Sequence, residues 1–173
     1  MVTDIVDPNF IRLALMLAAA AVSVVSDVRE RRIPNALTLP LAVAGLGIGV
    51  VSEGAGGLVE AVLGCLAGGL LFLVPVAKLG WGMGDLKLAA ALGAVGGPLF
   101  ALWMALYAMA AGALFALLWL TRQGQLSRVA GGMQRDLRAG QAPRARSGLS
   151  IPYAVPIAAG VAIALLISPG LPQ

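Results

Sequence analysis

Histidine is missing from this chain of 173 residues, and cysteine occurs once, as Cys65. Those two scarcities remove Ser-His and Cys-His nucleophilic systems, Cys-rich zinc sites and any disulfide within the chain. Charge is scarce as well: 12% of the residues are charged, against about 25% in an ordinary soluble domain. Only eight side chains are carboxylic, so acid–base chemistry has to come from a short list of carboxylates, or from Lys or Tyr. No metal ion and no cofactor is expected from this residue set.

What fills the chain instead is apolar. Hydrophobic residues make up 60% of it and the mean hydropathy is +0.93, where a soluble domain has about 45–50% apolar residues. The expected fold class is all-α: a polytopic membrane helical bundle forming a single domain over residues 1–173. The net charge of +4 belongs to loops at a membrane face and is not a sign of nucleic-acid binding. Residues 1–9 carry Asp4 and Asp7 and no basic residue, unlike a signal peptide, so the first apolar run reads as a retained span.

Hydropathy and turn residues place about six spans, at 10–26, 36–51, 58–77, 86–96, 99–120 and 152–168. Pro34 and Asn35 punctuate the first connection, with Asn35 suited to cap the second helix. Residues 52–57 read as a loop, and Pro75 is expected to kink or end the third span. Gly64, Gly68 and Gly69 give that span the small-residue spacing of close helix contacts. Gly97-Pro98 turns the chain into the fifth span, where Trp103, Tyr107 and Trp119 fit interface positions. Residues 121–150 hold six arginines and one acid; they read either as a basic amphipathic helix on an anionic leaflet or as a disordered loop. Cys65 reads as a small buried or lipid-facing residue.

The positive-inside rule orients the bundle. With six spans and the N-terminus outside, eleven of the twelve basic residues fall on the cytoplasmic side, leaving Arg12 alone opposite. The same topology sorts the acids. Asp4, Asp7, Glu53 and Glu60 lie on or near the outer side, Asp136 lies in the basic loop, and Glu30 has arginines beside it. Asp27, closing the first span, and Asp85, opening the fourth, share the cytoplasmic face.

Two readings of Asp85 stand side by side. An aspartate suits a helix start; an acid at the edge of an apolar span is also a default functional candidate. A second aspartate at the same level favours the latter. Carboxylates about 4 Å apart repel by on the order of 4 kcal/mol at an effective dielectric of 20, and such a pair holds one shared proton. Its ionised member can take a proton from water while the protonated one polarises a peptide carbonyl. Gly82 and Gly84, lacking side chains, would let a substrate backbone approach.

Asp27, followed by five residues and then Ile33-Pro34-Asn35, with Gly82-Met83-Gly84-Asp85-Leu86-Lys87-Leu88 downstream, resembles the type IV prepilin peptidases, GxGD-type membrane aspartyl proteases. Ile151-Pro152-Tyr153 before an Ala/Gly-rich span is similar to a Pro-aromatic segment near that family's C-terminus. The resemblance implies cleavage of the basic leader peptide of prepilins or pseudopilins at the cytoplasmic face of a bacterial inner membrane. It maps the catalytic pair onto Asp27 and Asp85 and the motif glycines onto Gly82 and Gly84. Lys87, Pro34, Asn35, Pro152 and Tyr153 take supporting positions. The likeness is to the short, peptidase-only form of tight-adherence (Flp-type) pilus systems. Asp27 directly follows the first span and only one cysteine is present, so N-methylation is not expected.

Two other readings compete. A lipoprotein signal peptidase also uses two aspartates, but it lacks this glycine motif and acts at the outer face. A small transporter or channel component could use Asp27 and Asp85 as ion or proton sites, although no internal repeat is present.

Overall fold

The computed structural model describes residues 7–79, 82–124, 126–138 and 154–167. Among these, every regular element is helical: α1 (Pro8–Glu30), α2 (Asn35–Leu79), α3 (Met83–Arg122), α4 (Leu126–Arg138) and α5 (Ala154–Ile167).

Local chemistry sets the ends. The Asp7 carboxylate accepts the Asn9 N–H at 2.9 Å, and Pro8 occupies the first turn of α1, where a missing amide costs nothing. At the other end Arg31 adopts the left-handed conformation and donates its N–H to the Asp27 carbonyl at 2.9 Å. The helix therefore runs past the expected limit of residue 26, and Asp27 sits within its last turn. The Pro34 carbonyl accepts from Leu37 at 3.0 Å and from Thr38 at 3.4 Å, so Pro34 caps α2. Asn35, the expected cap, is already its first helical residue.

Both long helices are folded back at a glycine. In α2 the non-helical residue is Gly54, with φ 62° and ψ −134°; in α3 it is Gly97, with φ 81° and ψ 177°. Both conformations are closed to residues with a Cβ. Gly49 and Gly57 touch backbone to backbone, and a Cβ on Gly93 would lie 3.2 Å from that of Ala101. Residues eight apart in a straight helix are separated by roughly 12 Å, so each contact marks a reversal. The loop expected over 52–57 shrinks to one residue. Pro75 neither ends nor breaks α2, which continues to Leu79. A proline removes one hydrogen bond, and in apolar surroundings no water competes for the rest.

The limbs pack closely through their small residues. Gly64 meets the Gly93 carbonyl and Gly68 meets that of Ala89, while a Cβ on Gly45 would sit 2.7 Å from the backbone of Ala94 and Val95. Residues 98–122 receive α5 in the same way, with Gly160 against Met104 and Ala108. Met16, Phe72, Leu88, Leu92, Phe100, Met104, Ile157 and Val161 form the shared core. Trp103 and Tyr107 stack at 5.8 Å between centroids and pack onto that core.

Leucines and valines cover the outward faces of the helices, a surface too apolar for water. Helices Pro8–Glu30, Asn35–Ala77 and Met83–Arg122 are long and apolar enough to cross a membrane, and the chain is a membrane protein. Of the two readings of the basic stretch, residues 126–138 take the helical one.

Candidate active site

Asp85 is the third residue of α3 and is 5% exposed. Its backbone N–H donates to the Gly82 carbonyl at 3.1 Å, and its Oδ2 accepts the Gly82 N–H at 3.2 Å. A third-position acid reaching back to the capping residue's amide is half of a capping box. Asp85 thus does cap its helix, from inside the first turn. The same side chain lies close enough to Asp27 to feel its charge directly.

Asp27 is half-buried and is held from a different quarter. Its Oδ2 accepts the backbone N–H of Ala154, the first residue of α5, at 3.1 Å. A helix N-terminus carries partial positive charge and favours an anion there. Each carboxyl therefore has one amide bound to it, one from the turn before α3 and one from the start of α5. Ser26 Oγ donates to the Arg32 carbonyl at 2.7 Å, tightening the turn that follows Asp27.

The two sequence motifs are bolted together. Lys87 Nζ donates to Asn35 Oδ1 at 3.0 Å across 52 residues of sequence, which gives both supporting residues a structural task. A Cβ on Gly84 would lie 3.1 Å from the Ile33 Cβ, so the absent side chain of Gly84 is what admits the loop before α2. Gly82 is exposed, and a Cβ there would come 3.4 Å from Asp85 Oδ2. Of the two glycines, Gly82 alone faces open space beside the pair. Pro34 caps α2 as described. Pro152 and Tyr153 lie outside the described residues, immediately before the amide that binds Asp27.

Sequence reasoning passed over two members of this site. Ile33 is apolar and served only as part of a motif string, and Ala154 contributes a main-chain amide that no residue type advertises. The signal that could have found Ala154 is positional: a helix beginning at the level of an aspartate offers free N–H groups to it. No group of metal-ligating side chains occurs among the described residues.

A helical membrane bundle with two aspartates brought to one end is the class of protein so defined. Residues 13–117 match the model of the type IV leader peptidase family. The chain belongs to that family, which is one of peptidases. The match takes in both aspartates and both motifs and stops before α4 and α5. No curated protein and no solved structure matches the chain.

Proposed function

We propose that this protein is an aspartic endopeptidase of the bacterial cytoplasmic membrane that removes the basic leader peptide from prepilins or pseudopilins. The observation that carries the reading is the approach of Asp27 to Asp85 from two different helices, each carboxyl steadied by a main-chain amide. One carboxylate takes a proton from a water whose oxygen attacks the scissile carbonyl carbon; the protonated carboxyl donates to the carbonyl oxygen as it becomes tetrahedral. Collapse of that intermediate breaks the C–N bond, and a proton passes from the pair to the leaving amine. The extended substrate lies over Gly82, where no side chain intervenes.

Membrane placement belongs to the same proposal. The reversals at Gly54 and Gly97 divide α2 and α3 into four limbs, which with α1 and α5 give six crossings. An outer N-terminus sets Asp27, Asp85 and the arginines on the cytoplasmic side, following the positive-inside rule. There α4 lies on anionic phospholipid. N-methylation of the product is no part of this activity. A transporter has less support, because the matching family is one of peptidases; a lipoprotein signal peptidase would work at the opposite face.

Reconstitution with a Lys/Arg-rich prepilin tests the proposal. Asp27→Asn and Asp85→Asn should each lower cleavage by about 10²–10⁴-fold, the usual contribution of a positioned acid or base. Near-full activity in either variant would exclude the paired mechanism.

A further inference from the structure

A second polar site lies at the other end of the bundle. Arg12 precedes Asp27 by fifteen residues of α1, roughly 22 Å along the axis, and Gly97 follows Asp85 by twelve, roughly 18 Å. Arg12 and Gly97 line one cavity of about 290 Å³ together with Glu60, Val95, Pro98 and Leu99. In a hydrocarbon layer about 30 Å thick, a site so far from the aspartates falls past the midplane, in the opposite leaflet.

Its two charges have no ion-pair partner among the described residues. Arg12 Nε is buried and has no hydrogen-bond partner among the described residues. Glu60 is exposed, and its Oε2 lies over Gly97, 3.8 Å from where a Cβ would be. Arginine and glutamate thus share a cavity without neutralising one another. The helical limb that restarts at Pro98 presents its N-terminal end to the same space and adds partial positive charge to it. Leu99, half exposed, continues the cavity wall into the apolar outer surface.

We propose that this cavity binds the headgroup of a zwitterionic phospholipid. The phosphate takes the Arg12 guanidinium, the ammonium of a phosphoethanolamine takes Glu60, and the acyl chains descend over the apolar flank beside Leu99. Guanidinium is the side chain suited to phosphate because its planar fork donates to two oxygens at once. An anionic lipid without an ammonium would satisfy Arg12 but leave Glu60 facing added negative charge. The site therefore distinguishes phosphatidylethanolamine from phosphatidylglycerol.

Native mass spectrometry of the full chain, released from micelles doped with either lipid or with soluble phosphoethanolamine, provides the test. Wild type should retain phosphatidylethanolamine in preference to phosphatidylglycerol, and should hold soluble phosphoethanolamine only weakly. Arg12→Gln should lose both lipids by about tenfold, the scale of one charge-assisted contact, whereas Arg12→Lys loses less. Glu60→Gln should abolish the preference between the lipids while keeping total occupancy. Unchanged lipid retention in Arg12→Gln, with thermal unfolding like that of wild type, would overturn the proposal. So would equal binding of the soluble headgroup and the lipid, which would make this a free-phosphate site. The readout is occupancy, so its failure leaves the peptidase reading untouched.

Discussion

Ala154 donates its backbone N–H to Asp27 Oδ2 at 3.1 Å across 127 residues of sequence. The helix that supplies this donor lies beyond the segment matching the leader peptidase family. Proline at this position removes the donor on a backbone that the first residue of a helix tolerates. Ala154→Pro should lower kcat about tenfold or more with KM largely kept, since a hydrogen bond to a charged group contributes about 1.5–3 kcal/mol. Ala154→Ser keeps the amide and should stay near wild type. Equal rates for the two variants would remove the positioning role of α5.

Lys87 and Asn35 call for a double-mutant cycle. Their 3.0 Å bond is exposed, so the coupling expected is small, about 0.5–1 kcal/mol. Lys87→Met and Asn35→Ala should each slow cleavage, and the double variant should be no worse than the poorer single one. Additive losses would show that the two act separately.

Gly64 and Gly47 should respond oppositely to the same methyl. At Gly64 a Cβ collides with the Gly93 carbonyl and would approach Gly97 Cα at 2.8 Å, backbone that cannot step aside without parting the helices. Gly64→Ala should cost about 1–3 kcal/mol, the range for overpacking. Nothing lies within 4 Å of a Cβ at Gly47, so Gly47→Ala should gain about 0.5–1 kcal/mol from helix propensity. Thermal unfolding in micelles measures both.

The Gly84–Ile33 contact predicts a suppressor. Gly84→Ala places a methyl 3.1 Å from Ile33 Cβ and 3.5 Å from its Cγ1, displacing the loop that Lys87 holds to α3. Cleavage should fall several-fold, with helix content retained by circular dichroism. Adding Ile33→Gly should restore part of the rate, because it removes the Cβ that the new methyl meets. A double variant as slow as Gly84→Ala would place the damage elsewhere.

Composition and spacing made much of this legible. A connection within 52–57 and the turn at Gly97-Pro98 were visible because glycine and proline act locally, through backbone sterics; that Gly54 alone makes the first reversal was not. Asp27 and Asp85 were assigned to one membrane level because an apolar span has a known length and both acids close or open one. Helix ends were less legible: Asp27 lies inside α1, and α3 starts at Met83, since caps depend on which amide finds which acceptor. The supporting cast was least legible. Asn35 looked like a cap until Lys87, distant in sequence, took its side chain. Ala154 and Ile33 act through main chain and shape, which residue identity does not encode.

The two single-residue reversals have a mechanical consequence. Gly54 and Gly97 both sit at the end of the bundle away from the aspartates, and neither leaves any spare chain. At the aspartate end, α1 reaches α2 through four residues, 31–34. The limbs are therefore joined like tongs at the glycine end, and at the other end side chains hold them, through Lys87 on Asn35 and Asp27 on the Ala154 amide. Opening a gap between Asp27 and Asp85 would have to break those bonds, while the reversals at Gly54 and Gly97 stay as they are.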